Sequence, residues 1–165
     1  MSSPPLSVPP SSVAVTVKCC TPVKDLSSTA VKIVSQALNL NKNSNVLDLG
    51  CGLGGPARLI AEINNCKVEG IDLMPGYIND GNKLSEMVGL KDKVSLISGN
   101  VLNLPYENET FDASYMVHVG MNISNKLSLM KNVHRVLKNK AVYIIFDQIK
   151  LSNNKSKLPL PWASK

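Results

Sequence analysis

The sequence predicts an α/β fold in which a mainly parallel sheet is covered by helices on both faces. Two observations predict it. Apolar runs of strand length alternate with segments of helical periodicity, and a glycine-rich bend follows the first of those runs directly. From about Asp25 the pattern is regular. Asp25, Ser27 and Ser28 offer capping side chains ahead of Ala30, Val31, Val34 and Leu38, whose spacing predicts a helix ending in the Asn-rich stretch 39–45. Residues 45–49 form a short apolar run stopped by Gly50, and 56–63 follow as a helix with Pro56 in its first turn. The alternation repeats with 67–71 as strand, 76–88 as helix, 94–97 as strand and 111–117 as strand. Residues 124–137 then read as a helix with Leu127, Met130, Val133 and Leu137 on one side, and 141–146 close as a fully apolar strand. Met87 and Met130 are expected to fill the core. Five strands separated by helices call for crossover connections and hence parallel pairing.

The 165 residues are 44% hydrophobic and 18% charged, which suits one globular domain. That domain is assigned to residues 25–150. Residues 1–24 contain no acid, are rich in Ser and Pro, and lack the basic start and continuous apolar stretch of a secretory signal. They read as a disordered or loosely attached leader. Residues 151–165 read as a polar tail containing Leu158-Pro159-Leu160-Pro161-Trp162. No apolar run approaches the ~18–20 residues that cross a bilayer, so no membrane span is expected. The net charge of +6 comes almost entirely from lysine, with only Arg58 and Arg135 as arginines and no basic/aromatic interleaving, so nucleic acid is not the expected partner. Cys19, Cys20, Cys51 and Cys66 show no metal-ligand spacing and read as reduced thiols, which points to the cytoplasm.

In such a sheet a ligand binds beyond the carboxyl ends of the strands, where the order reverses. Gly50-Cys51-Gly52-Leu53-Gly54-Gly55 would let the backbone approach a ligand without Cβ obstruction, next to the free N–H groups of the following helix. Asp72 ends the second strand, where a carboxylate can accept from both hydroxyls of a ribose. Gly50, Gly52 and Gly55 also satisfy the pattern of dinucleotide binders, which leaves a nicotinamide-dependent oxidoreductase as an alternative. Asp48, at the end of the first strand, discriminates. A carboxylate there would repel a pyrophosphate by roughly 1 to a few kcal/mol and would suit a cation, such as the ammonium and sulfonium of S-adenosylmethionine.

The run Val46-Leu47-Asp48-Leu49-Gly50-Cys51-Gly52-Leu53-Gly54-Gly55-Pro56-Ala57-Arg58 resembles the first motif of class I S-adenosylmethionine-dependent methyltransferases. Gly70-Ile71-Asp72-Leu73-Met74-Pro75 resembles the second motif. Leu104-Pro105-Tyr106, Phe111-Asp112, residues 118–123 and Leu158-Pro159-Leu160-Pro161-Trp162-Ala163 resemble the sarcosine/dimethylglycine-like N-methyltransferases. The resemblance implies a Rossmann-like three-layer sandwich with strand order 3-2-1-4-5, lacking the family's strands 6 and 7. It also implies methyl transfer from S-adenosylmethionine, with S-adenosylhomocysteine as product and no metal, to a small-molecule acceptor, with an amine nitrogen as the expected receiving atom.

By the same resemblance, the bend at Gly50, Cys51, Gly52 and Gly54, with Asp48 beside it, packs against the methionine part of the cofactor. Asp72 holds the ribose, and Leu73 and Met74 flank the adenine. Asn100 and Val101 stand where the family usually has an acid bonding the adenine amino group; the Asn100 side-chain oxygen can still accept that bond, without charge. His118, beyond the fourth strand, is the candidate to orient or deprotonate the acceptor, imidazole being suited to exchange a proton near neutrality; a histidine that bonds only locally is the alternative. Met121 and Asn122 are expected to line the acceptor pocket or, alternatively, to pack and cap a helix entry. Trp162 is expected either to close over the substrate or to anchor the tail.

Two departures from the family pattern carry expectations of their own. Lys138-Asn139-Lys140 replaces a Pro-Gly-Gly turn, with Asn139 expected in the left-handed conformation. An uncovered fifth strand would invite a homodimer or a complementing chain, and a catalytically idle binding module is the alternative function.

Overall fold

The computed structural model of the chain describes residues 14–18 and 26–147. Strands Ala14–Lys18 (β1), Asn45–Leu49 (β2), Lys67–Asp72 (β3), Val94–Ser98 (β4), Phe111–Val117 (β5) and Leu137–Asp147 (β6) form one sheet in which every pairing is parallel. Helices Leu26–Leu38 (α1), Gly55–Asn64 (α2), Pro75–Met87 (α3) and Lys126–Val136 (α4) cover it, with a 3-10 turn at Gly120–Asn122. The sheet order is β1-β6-β5-β2-β3-β4, so β2 to β6 stand in the expected 3-2-1-4-5 arrangement. The order reverses at β2, which pairs with β3 on one side and β5 on the other, and a crevice opens beyond its carboxyl end.

Side chains alternate across a strand, which divides the core into two layers. On one face α1 (Ala30, Val31, Val34) and α2 (Ala57, Ile60, Ala61) pack over Val46, Val68, Ala113 and Tyr115. On the other, α4 (Leu129, Val133, Val136) joins Val101 and Leu104 over Leu47, Leu49, Ile71 and Met116. Among the described residues no helix is long and apolar enough to cross a membrane.

Several expectations are corrected. Residues 14–18, assigned to the leader, form β1, paired from Ala14↔Tyr143 to Lys18↔Asp147. The β6 edge that was expected to stand open for a second chain is therefore occupied, because an alternating Ala-Val-Thr-Val run can satisfy the free N–H and C=O groups of that strand. The buried stripe of α4 is Leu129, Val133 and Val136, whereas Leu127 and Met130 are exposed. Both stripes have helical spacing and share Val133, so only the helix's docking angle chooses between them. Met87 is 80% exposed at the end of α3 and fills no core. Leu137 leaves α4 already extended, and the register of β6 on β5 shifts between Phe111 and Ala113. The chain thus absorbs its change of direction as a strand irregularity, with Lys140 (φ 64°), not Asn139, in the left-handed region.

Candidate active site

At the carboxyl end of β2 the chain turns through Gly50, Gly52 and Gly54, all left-handed at φ 80°, 53° and 75°. The Gly50 and Cys51 amides donate to Ile71 O, which carries the β3 pairing into the bend. A Cβ on Gly50 would lie 2.6 Å from Val119 Cγ2, so this glycine is needed for closeness as well as for φ. At Gly52 a Cβ would meet nothing within 4 Å, which marks the open side of the bend. Cys51 lies buried beneath it, its Sγ 2.8 Å from where a Cβ on Gly70 would stand. Burial pushes its thiol pKa up, and the nearby carboxylates Asp48 and Asp72 push it further.

The two strand-end carboxylates differ. Asp72 is half-buried, and its Oδ2 accepts from Gly52 N at 2.9 Å while Oδ1 accepts from Met74 N at 3.0 Å. It ties the bend to the start of α3. Asp48 is 2% exposed and faces Tyr115 across the β2–β5 register. Burial raises its pKa to about 7; the Tyr115 hydroxyl lowers it in part, and Asp72 raises it further. Asp48 Oδ2 and Tyr115 Oη each lack a hydrogen-bond partner among the described residues. Asp48 is thus buried within the sheet rather than standing exposed at the strand tip, and that burial favours its protonated form.

Leu73 and Met74 follow Asp72 and are exposed, free to flank a ligand. Asn100 is exposed, and its Oδ1 accepts from Leu102 N at 2.9 Å, one lone pair being spent on its own turn. The Val101 side chain is buried in the core layer beneath β3, so only its backbone can face the crevice.

β5 delivers His118 to the same end of the sheet. Its backbone is left-handed at φ 58°, unusual for a non-glycine residue, and is held there by His118 N donating to Phe146 O at 2.9 Å. The ring stands edge-on to Phe146, with centroids 5.4 Å apart, and its Nδ1 is buried without a partner among the described residues. Met121 and Asn122 form the 3-10 turn and are exposed; Met121 N donates to Asp147 Oδ2 at 2.7 Å. Asn122 is not the cap of α4, since Asn125 takes that role by accepting from Ser128 N. His134 lies in the last turn of α4, where β6 begins, at the opposite, amino-terminal end of the parallel strands. Trp162 lies outside the described residues. The carboxyl ends of β2, β3 and β5 thus bring together the glycine bend, Asp72 with Leu73 and Met74, and His118.

Sequence reasoning missed Tyr115, Val119 and Asp147. Each reads locally as part of an apolar strand or its end, and only packing brings it against Asp48, Gly50 and Met121.

A parallel sheet with its order reversed at β2, a left-handed glycine bend and a carboxylate on the next strand tip define a nucleotide- or nucleoside-binding α/β domain. The chain belongs to the methyltransferase-domain family, whose pattern it matches over residues 47–145. It is 31% identical over 120 residues to a sterol 4-C-methyltransferase of Caenorhabditis elegans, covering 73% of this chain and 36% of that one. Among solved structures it resembles a geranyl diphosphate methyltransferase in complex with S-adenosylmethionine, at 26% identity and TM-score 0.65, over 67% of this chain and 45% of the other. It also resembles a candidate sarcosine dimethylglycine methyltransferase from Galdieria sulphuraria at 23% identity and TM-score 0.65, over 72% of this chain and 43% of the other. The chain spans about a third of the length of the curated relatives it matches.

Proposed function

We propose that the protein transfers a methyl group from S-adenosylmethionine to a small apolar acceptor, at carbon. The observation that carries the first part is the bond from Gly52 N to Asp72, which presents an open glycine bend beside a carboxylate in a chain of the methyltransferase-domain family. The residues fit an adenosyl ligand. Gly52 has free space on its outer side, each Asp72 oxygen keeps a lone pair beyond its backbone bond, and Leu73 and Met74 offer exposed apolar surface next to it.

S-adenosylmethionine supplies an electrophilic methyl carbon and leaves as a neutral thioether. The chain's own work is alignment and exclusion of water. Gly50, Gly52 and Gly54 bring the backbone close to the methionine part, Asp72 accepts from the ribose hydroxyls, and Leu73 and Met74 flank the base, with Asn100 and the Val101 backbone at its far edge. His118 orients the acceptor or takes its proton; its left-handed backbone and unpartnered Nδ1 support that role. Met121 and Asn122 belong to the acceptor side.

The carbon acceptor rests on the name of the sterol enzyme and on the apolar side chains exposed at this end of the sheet: Leu53, Leu73, Met74, Tyr77 and Met121. The amine acceptor expected from sequence has only a fold likeness behind it. Cys51 and Cys66 as free thiols accord with a cytoplasmic setting. Calorimetry with S-adenosylhomocysteine, followed by radiolabelled methyl transfer to sterol and amine panels, tests the proposal. Micromolar binding with label on a sterol is the expected result. Binding without turnover favours an idle module, label on an amine overturns the acceptor, and no binding by folded protein overturns the whole.

A further inference from the structure

We infer that Arg58 is a positioning residue that fixes the spacing between the glycine bend and α3, the two halves of the site. Its value to the cofactor rests on the function proposed above; the spacing itself does not. Arg58 lies in the first turn of α2, where a cation opposes the helix dipole, so local helix energetics do not account for it. Its contacts do. With its two protons Nη1 reaches three acceptors, Leu53 O at 2.8 Å and, more loosely and sharing a proton, Gly81 O at 3.2 Å and Ser85 Oγ at 3.3 Å. Ser85 Oγ gives its own proton to Gly81 O at 2.9 Å, which leaves its oxygen free to accept from Arg58. One guanidinium nitrogen therefore joins the bend to two turns of α3 through neutral oxygens.

The packing beneath it makes that tie consequential. A Cβ on Gly81 would stand 2.8 Å from Leu53 O, so the backbones of α3 and the bend already touch. Cβ atoms on Gly54, Gly70 and Gly81 would all come within 2.7 Å of the Leu96 side chain, so the bend, β3 and α3 close around one leucine. Leu96 sets how near the elements come, and Arg58 holds them there. Asp72, Leu73 and Met74 sit directly ahead of α3, so a slide of this helix would change their distance from Gly52 and Gly54. Neither bend nor helix need unfold for the site to lose its shape.

The test compares Arg58→Met, which keeps length without donors, with Arg58→Lys, which keeps a donor, and with Asn82→Ala. Asn82 ties α3 to β4 by exchanging two hydrogen bonds with the backbone of Leu96, neither of them to the bend itself. In the 165-residue chain, Arg58→Met is expected to weaken S-adenosylhomocysteine about tenfold and to speed amide exchange at Gly52–Gly54 and Gly81–Ser85. Arg58→Lys is expected to restore most of both. Asn82→Ala is expected to lower the melting temperature with affinity within twofold of wild type. The inference is overturned if Arg58→Met leaves exchange in those two segments unchanged, or if Asn82→Ala weakens the ligand as much. If the wild-type chain itself ignores S-adenosylhomocysteine, the functional reading fails, and the exchange data alone decide whether Arg58 sets the spacing.

Discussion

Asp48 and Asp72 close neighbouring parallel strands, the first beneath the glycine bend and the second on its rim. Around Asp48 the sheet and α2 exclude water, Oδ2 has no partner among the described residues, and the carboxyl is pushed up to about 7. Around Asp72 two backbone amides point at the two oxygens, and solvent reaches the group. The difference teaches that position at a strand tip does not give a carboxylate its charge. Its surroundings do, and a shift of two residues along adjacent strands is enough to exchange amide donors and water for an apolar layer.

The largest effect should come from Asp48 and pH. Its folded-state pKa lies near 7 against an ordinary 3.8, so between those values the folded chain holds more protons than the unfolded one. Its contribution is therefore nil below pH 4, becomes steadily more unfavourable through the window, and reaches a ceiling of about 4 kcal/mol above pH 8. Asp48→Asn should match wild type at pH 4 and exceed it in denaturant melts at pH 8; equal slopes in both proteins would remove the contrast with Asp72.

Asp72→Ala removes two charge-assisted bonds worth about 1.5–3 kcal/mol each, together with the ribose acceptor. S-adenosylhomocysteine affinity should fall at least about a hundredfold by calorimetry. A variant that still bound tightly would shift the weight of the site from Asp72 to Asp48.

The bend joins the two carboxylates, and its two ends can be tested separately. Gly50→Ala places a methyl against Val119 in a left-handed backbone, for a loss of about 2–4 kcal/mol in urea unfolding. Gly52→Ala, next to the Asp72 bond, meets only the left-handed penalty of about 1–2 kcal/mol. Comparable losses would mean that Val119 does not press on the bend.

Smallest is a third carboxylate, away from the site. At Asp112 partial burial pushes the pKa up, but bonds from Lys138 Nζ and Asn45 N outweigh it and leave it lowered. Lys138→Ala should cost under about 1 kcal/mol at pH 7, with the difference fading as acid protonates Asp112. A larger loss would show that a solvent-accessible pair can rival burial here.

The local pattern of the chain determined five strands, four helices, the glycine bend and Asp72 at its strand tip. Apolar spacing and turn chemistry act over a few residues, so Val46 to Leu49, Gly50 and the Phe111 to Val117 run declare themselves. What only the tertiary structure decided depends on distant partners. Ala14–Lys18 becomes a strand because the β6 edge needs pairing, and α4 turns Leu129 inward instead of Leu127 because of how it docks. The Asp48 carboxyl is pushed up because burial in the folded sheet removes its water, and Arg58 reaches past its own helix to Gly81 and Ser85. Each of these turns on burial or on long-range hydrogen bonds, free energies that exist only once segments far apart in the chain are brought together.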